Sequence, residues 1–116
     1  MPPHPSIEPN RVLRMSDWIQ IANVADIAVG EGKEFTVGDR IIALFHIDGS
    51  FRAIDGICAH AGGPIAAGAL NGCIVTCPWH GWQYDVTTGE MCLNSQIRLE
   101  SFPVKVEGDA ILVALP

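Results

Sequence analysis

Cys58-Ala59-His60 and Cys77-Pro78-Trp79-His80 are the stretches of sequence that decide how this chain folds and what it binds. Each stretch offers one thiolate and one imidazole within a few residues. Two sulfur ligands and two imidazole nitrogens suit either a zinc ion or an iron–sulfur cluster. A lone cysteine is usually a small buried apolar residue, but two tight Cys–His pairs set among glycine and proline indicate a metal centre.

The order of the ligands within each pair separates these two possibilities. The pairs read Cys-x-His and Cys-x-x-His, so each mixes sulfur with nitrogen, and the histidines lack the spacing of a zinc finger. Mixed pairs favour a two-iron cluster with sulfur ligands on one iron and imidazoles on the other. A zinc-stabilised interaction module without a redox role is the alternative, and it would be colourless where a [2Fe–2S] protein is red-brown.

Both loops resemble the ligand loops of the Rieske [2Fe–2S] family. The resemblance is specific at two segments, Cys58-Ala59-His60-Ala61-Gly62-Gly63-Pro64-Ile65 and Cys77-Pro78-Trp79-His80-Gly81-Trp82-Gln83-Tyr84-Asp85. It extends more loosely from about Trp18 to the C-terminus. The second segment also resembles the N-terminal domain of Rieske oxygenase large subunits, which carry a long catalytic domain after this point.

The resemblance implies a cofactor and a role for particular residues. It implies one [2Fe–2S] cluster per chain, with Cys58 and Cys77 on an inner iron and His60 and His80 on an outer, solvent-facing iron. It also implies that the Tyr84 hydroxyl reaches a ligand sulfur. In the high-potential branch of the family a serine occupies the position that Trp82 has here.

Composition and charge restrict the kind of partner. The chain has 116 residues, 48% of them hydrophobic, which suits one globular domain. Thirteen acidic and seven basic residues give a net charge of −6, which argues against nucleic acid and membrane surfaces and for a basic protein surface if the partner is charged. The sequence shows neither a membrane span nor a signal peptide, so we expect a soluble cytoplasmic protein.

Two cysteines are left over once the candidate ligands are assigned. In the respiratory Rieske proteins each ligand loop carries an extra cysteine and the two form a disulfide, whereas Gly63 and Trp79 occupy those positions here. The missing bridge favours a reducing compartment. We expect Cys73 and Cys92 to be reduced and partly buried, with a Cys73–Cys92 disulfide as the alternative.

Short runs of alternating residues bounded by turn signals predict an all-β domain. The clearest turn signals are Asp48-Gly49 and Gly108-Asp109. The predicted elements are strands at 18–23, 34–37, 40–47, 50–55, 73–77, 83–86, 98–107 and 110–115, and a helical turn at 25–29. The family resemblance implies the Rieske fold, an antiparallel β-sandwich base made of the first and last strands, with a cluster-binding subdomain inserted at about 55–93. We expect a flexible tail at 1–11 and a single domain at 12–116.

The expected function is electron transfer without separate substrate chemistry. An oxygenase site needs two histidines and a carboxylate, and only His4 and His46 are spare, neither with a predicted role. The leading hypothesis is a Rieske-type ferredoxin, an electron carrier and not an enzyme, that passes electrons from a flavin-dependent reductase to a terminal oxygenase or dioxygenase. The alternative is the Rieske-like small subunit of an assimilatory NAD(P)H nitrite reductase.

Overall fold

The computed structural model describes residues 17–115, and within them nearly all regular structure is β. The only helical segments in this range are single 3₁₀ turns at Val24–Asp26 and Ile65–Ala67. The strands in chain order are β1 (Trp18–Asn23), β2 (Gly32–Val37), β3 (Arg40–Ile47), β4 (Ser50–Asp55), β5 (Ala69–Asn71), β6 (Ile74–Thr76), β7 (Gln83–Asp85), β8 (Glu90–Met91), β9 (Asn94–Arg98), β10 (Ser101–Phe102), β11 (Val104–Glu107) and β12 (Ala110–Ala114). The all-β prediction is confirmed.

The strands form three antiparallel sheets. The first and last strands make a three-stranded sheet in the order β1-β12-β11, and a four-stranded sheet runs β10-β4-β3-β2. These two sheets are the base that the sequence predicts. The third sheet, β5-β6-β7-β8-β9, is a meander between Ala69 and Arg98, and it carries the second Cys–His pair on the connection between β6 and β7.

Strand β3 forms a wall between two hydrophobic cores. Ile42 and Leu44 pack with Phe102, Ile111 and other residues of the base. The alternate residues Ala43 and Phe45 point the other way, into the core beneath the third sheet, which also contains Cys58 and Cys77. Because both faces of β3 are covered, Ile42 to Phe45 is a continuous apolar run. The same strand therefore supports both the base and the Cys–His loops.

Two tight turns form where the sequence signals them. Asp48 and Gly49 join β3 to β4 with φ of 45° and 84°, the left-handed conformation that a two-residue hairpin requires at both positions. Gly108, at φ 60°, joins β11 to β12. These hairpins fix the register of the base, so that Ile54 faces Ala43 and Val106 faces Ile111 across their strand pairs.

Three features of the fold differ from the prediction: one predicted strand is divided, the helical turn is displaced, and two short strands were not predicted. The predicted strand at 98–107 is three pieces: β9 ends at Arg98, β10 pairs with β4, and β11 pairs with β12. Pro103 stands between β10 and β11, and because proline has no N–H to donate, the chain changes sheets there. The helical turn lies at Val24–Asp26, not at 25–29, and the short strands β5 and β8 are not predicted at all.

The expected tail at 1–11 lies outside the described residues. Among residues 17–115, no helix is long and apolar enough to cross a membrane.

Truncation of Leu44 should destabilise the whole domain. The Leu44 side chain has no exposed surface, so Leu44→Ala should lower the free energy of unfolding by about 2–5 kcal/mol, because it leaves a cavity beneath the wall. Urea titration followed by tryptophan fluorescence measures this change. Ile19→Ala, on β1 with its side chain 38% exposed, is the control and should cost less than about 1 kcal/mol. Equal decreases in the free energy of unfolding of the two variants would show that β3 does not support both cores.

Candidate metal centre

The first Cys–His loop is closed by two backbone hydrogen bonds. The Cys58 N–H donates to the Gly63 carbonyl at 2.9 Å, and the Gly62 N–H donates back to the Cys58 carbonyl at 3.0 Å. Gly62 has φ of 75°, which a residue with a Cβ adopts only with strain. In the loop that these two hydrogen bonds close, the Cys58 side chain is buried and His60 is exposed.

The second Cys–His loop is closed by an equivalent pair of backbone hydrogen bonds. The Cys77 N–H donates to the Trp82 carbonyl at 2.7 Å, and the Gly81 N–H donates to the Cys77 carbonyl at 3.2 Å. In both loops the bonds therefore join the cysteine to the residues four and five positions later. The histidine comes one position later here, and His80 itself adopts a left-handed φ of 71°. Two sequences with different Cys–His spacing thus form equivalent loops.

The structure brings all four predicted site residues together as two chemically distinct pairs. Cys58 and Cys77 are 2% and 1% exposed, and their side chains lie within interacting distance of each other. His60 and His80 are exposed, and their ring centroids are 5.2 Å apart. The sulfurs face the protein interior and the imidazoles face solvent, which is the arrangement that the resemblance implies.

Hydrogen-bond donors surround the two sulfurs. The Tyr84 hydroxyl lies 3.3 Å from Cys58 Sγ and accepts the Ala59 N–H at 3.2 Å, so its own proton is free to point at the sulfur. The Trp79 N–H lies 3.4 Å from Cys77 Sγ. Tyr84 has no exposed surface and belongs to the core beneath the third sheet, so its position is fixed by packing. The Tyr84 hydroxyl thus reaches the sulfur of Cys58, one of the candidate ligands, as the resemblance implies.

The pKa values of the Cys58 and Cys77 thiols are shifted in opposite directions, because the balance between burial and hydrogen-bond donors differs at the two sulfurs. Burial raises the pKa of Cys58, but Tyr84 and the backbone N–H groups of His60 and Ala61 outweigh it, and the pKa lies below its ordinary value. Burial also raises the pKa of Cys77, and there the single N–H of Trp79 does not compensate. Burial and the neighbouring Cys58 raise the pKa of Tyr84 well above normal, so the hydroxyl keeps its proton and acts as a donor.

A tryptophan holds one of the imidazoles. The Trp82 ring stacks on His60 with centroids 4.4 Å apart and planes 3° from parallel. Trp82 also packs on the core beneath the third sheet. Sequence reasoning missed this contact, because no periodicity connects residues in different loops.

Gly63 and Trp79 occupy the positions of the two disulfide cysteines of the respiratory Rieske proteins, and they lie next to each other in the structure. A Cβ on Gly63 would be 3.1 Å from Trp79 Cβ and 2.8 Å from Cys77 Sγ. Trp79 therefore occupies the place of a bridge without forming one, and its side chain stays 50% exposed. All four cysteines are free thiols; Cys73 is half-buried as expected, whereas Cys92 is exposed, contrary to expectation.

The remaining candidates stay away from this centre. His46 donates or accepts a hydrogen bond with the Ile27 carbonyl at 2.9 Å and stacks on Phe51, so it is part of the base. His4 lies outside the described residues. Within residues 17–115, no three His, Cys, Asp or Glu side chains converge on a single point that a metal ion could occupy.

Comparison with known proteins identifies the family. Residues 17–103 match the Rieske [2Fe–2S] domain, and the chain belongs to this family. It is 30% identical over 99 residues to the ferredoxin component of the naphthalene 1,2-dioxygenase system of Pseudomonas putida, covering 84% of this chain and 95% of that protein. It is 34% identical over 98 residues to the ferredoxin component of the alkene monooxygenase system of Xanthobacter autotrophicus, covering 84% and 80%.

Solved structures agree with this family assignment. The ferredoxin in a complex of oxygenase and ferredoxin from carbazole 1,9a-dioxygenase superposes with a TM-score of 0.77 at 26% identity, covering 84% of this chain and 93% of that chain. A protein described as the small subunit of an NADPH nitrite reductase superposes with a TM-score of 0.74 over 83% of this chain and 96% of that chain. Its identity of 17% shows a likeness of fold alone.

The residues at this centre fit an iron–sulfur cluster. The two cysteines are reduced, buried side by side and supplied with hydrogen-bond donors, which is what cluster-ligating thiolates require. The imidazoles form a separate pair, as a two-iron cluster with mixed ligands demands. A single tetrahedral ion would instead need all four side chains around one point.

Gly63→Ala should disturb the centre, because the new methyl group would press on Cys77 Sγ and the Trp79 ring. We expect the variant to retain less than about half of the wild-type iron and sulfide, measured after reconstitution and normalised to protein concentration. Gly38→Ala, in the turn between β2 and β3 away from the centre, is the control, since a Cβ there meets no atom within 4 Å and costs only backbone strain of about 1–2 kcal/mol. Normal cluster content in Gly63→Ala would contradict this account of the loop contact.

Proposed function

We propose that this protein is a one-electron carrier of the ferredoxin type that passes electrons from a flavin-dependent reductase to a terminal oxygenase. Cys58 and Cys77 would hold the inner iron, and His60 and His80 the outer iron, of one [2Fe–2S] cluster per chain. When bound, such a cluster takes up and releases one electron at a time. The observation that carries the proposal is the pairing of buried sulfurs with exposed imidazoles at one end of the domain.

Each residue of the centre has a separate task in this proposal. The exposed rings of His60 and His80 are the groups that a docked partner can approach most closely. Tyr84 and the N–H groups around the sulfurs stabilise negative charge on the inner side. Trp82 holds His60 in one orientation, so that little rearrangement is needed when a partner docks.

The relatives favour this role over the alternatives. Similar proteins are ferredoxin components of dioxygenase and monooxygenase systems, whereas the likeness to a nitrite reductase subunit is one of fold. The separate sulfur and imidazole pairs favour two irons over one zinc ion. We also propose a cytoplasmic location, because free thiols persist most readily in a reducing compartment.

Reconstitution of electron transfer tests the proposal. The cluster-loaded protein, mixed with NADH, a flavin reductase and the oxygenase of carbazole 1,9a-dioxygenase, should support oxidation of carbazole, and omission of any one component should stop it. Cys58→Ala, which should lose the cluster, is the control for adventitious electron transfer. Loaded protein that the reductase reduces but that never reduces the oxygenase would rule out the carrier role.

The reduction potential should lie at the low end of the Rieske range of about −150 to +300 mV, because Trp82 replaces a serine donor and no disulfide braces the loops. Tyr84→Phe should lower it by roughly tens of millivolts, since the hydrogen bond to Cys58 Sγ stabilises the more negative, reduced form. Protein-film voltammetry measures the midpoint. Trp82→Phe keeps a ring against His60 and should leave the midpoint nearly unchanged. A wild-type midpoint near the top of the range would contradict this reasoning.

A further inference from the structure

Two acidic residues stand where the chain crosses between the base and the part that carries the metal centre. Strand β4 ends at Asp55, and residues 56–99 then include both Cys–His loops and the third sheet before Glu100 leads into β10. The Asp55 N–H donates to the Glu100 carbonyl at 2.8 Å, so the outgoing and the returning segments are bonded to each other. We call Asp55 and Glu100 the neck pair.

The register of the strands places the two carboxyl side chains of the neck pair on the same face. Strand β10 pairs with β4 so that Ser101 faces Ile54, and one position further along Glu100 faces Asp55. Opposite residues of an antiparallel pair have Cβ atoms about 4.5–5.5 Å apart, and like charges at such positions repel each other. The neck therefore brings two acidic groups close together.

A single arginine faces these two acidic groups. Arg40, at the start of β3, donates from Nη1 to Glu100 Oε1 at 2.8 Å. The other carboxylate oxygen of Glu100, Oε2, is buried and receives no hydrogen bond from any described residue. Asp55 Oδ1 accepts the Ile57 N–H at 3.3 Å, and no basic side chain within residues 17–115 forms an ion pair with Asp55. With both carboxyl groups ionised, the neck carries one excess negative charge.

The surroundings of Asp55 favour its protonated form. Burial, the largest influence, raises the pKa of Asp55 above its ordinary value of 3.8, and Glu100 adds to the rise. The Ile57 N–H and the Arg40 guanidinium oppose this rise without cancelling it. Asp39, an exposed residue of the turn between β2 and β3, lines the same open groove as Asp55. A proton on Asp55 removes the excess charge and supplies a donor for the buried Oε2 of Glu100.

The neck is connected directly to the first Cys–His loop. The Gly56 N–H donates to the Ile41 carbonyl of the base at 2.9 Å, and the Gly56 carbonyl accepts the Ile65 N–H, just beyond the loop, at 3.1 Å. The residue after Asp55 is therefore bonded to the base on one side and to the loop on the other. A change in the spacing of β4 and β10 at the neck is thus transmitted to the loop that holds Cys58.

We propose that the neck pair is a pH-sensitive latch, in which a proton shared between Asp55 and Glu100 holds residues 56–99 firmly on the base and its loss loosens the metal centre. The proton passes between Asp55 and solvent through the open groove in which that carboxyl group lies. Because the folded chain binds this proton more tightly than the unfolded chain, its stabilising effect is complete below the unfolded pKa and is lost as the pH rises through the folded pKa. The latch acts on retention of the iron–sulfur cluster and is independent of the proteins that donate or accept the electron.

The rate at which the loaded protein loses its iron–sulfur cluster tests the latch. Wild type and Asp55→Asn are followed by visible absorbance in a fixed, moderate concentration of urea between about pH 4.5 and 8. Asparagine keeps an acceptor for the Ile57 N–H and donates at every pH, so it imitates protonated Asp55. The two proteins should lose the iron–sulfur cluster at similar rates at the acid end, and wild type should lose it about threefold faster at pH 8.

Two further variants separate the latch from a general effect of charge. Asp39→Asn removes the same charge from an exposed residue of the same groove, and its rate relative to wild type should stay constant within about 1.5-fold across this pH range. Glu100→Gln removes the repelling neighbour of Asp55, so the pH dependence that belongs to the pair should disappear, although the ion pair with Arg40 is lost as well. Comparison of the proteins at equal pH removes the contribution of groups that titrate elsewhere.

Three results would overturn the latch: a ratio of wild-type to Asp55→Asn rates that is the same at every pH, an Asp55→Asn protein that loses the iron–sulfur cluster faster than wild type above neutrality, or an equal pH dependence in Asp39→Asn. The midpoint of urea unfolding, followed by tryptophan fluorescence, gives the same comparison for the chain itself, and Asp55→Asn should raise it more at pH 8 than at pH 4.5. Failure of wild type to hold an iron–sulfur cluster at any pH would contradict the proposed function, and the unfolding midpoints would still decide whether the latch exists.

Discussion

Two cysteine sulfurs lie side by side in the interior of this domain, and the rest of the structure depends on keeping them there. Buried thiolates are stable only when donors compensate the lost water. The Tyr84 hydroxyl and backbone N–H groups of both loops supply those donors. The tyrosine must therefore be fixed by the core, and the amides by loops of defined shape.

The two loops achieve that shape with the same pair of backbone hydrogen bonds. Glycine at the fourth position after each cysteine, Gly62 or Gly81, provides the left-handed conformation that closes the loop. The absent Cβ of Gly63 lets the second loop approach the first. Beneath them strand β3 is buried on both faces, so the support of the metal centre and the core of the base are continuous.

The sequence was sufficient to predict that the two Cys–His pairs come together and to predict the long strands. The Cys–His pairs, the turns at Asp48-Gly49 and Gly108-Asp109, and strands β1, β3 and β4 could all be predicted, because each depends on local pattern. The short strands β5 and β8 of the third sheet could not be predicted, since they are too short to show alternation and are held by the loops beside them. The break at Pro103 is visible in retrospect, as a residue that cannot donate to a sheet.

Contacts between separate segments were beyond sequence reasoning. Nothing in the sequence near His60 indicates that Trp82 covers one face of its ring. This contact depends on the register of β7 with its neighbours, which becomes known only when the sheet is seen. The loop residues that hold the sulfurs could be predicted, whereas the surface that surrounds the imidazoles could not.

The exposure of both imidazoles at a single end of the domain affects the order in which redox partners can bind. In the proposed carrier role, electrons enter and leave at this end, so an electron donor and an electron acceptor would have to bind there one after the other. Each partner would have to dissociate after every electron transfer, so a partner that binds too tightly would slow electron transfer. Selection should therefore favour a small, quickly reversible contact at this end of the domain over a large and durable one.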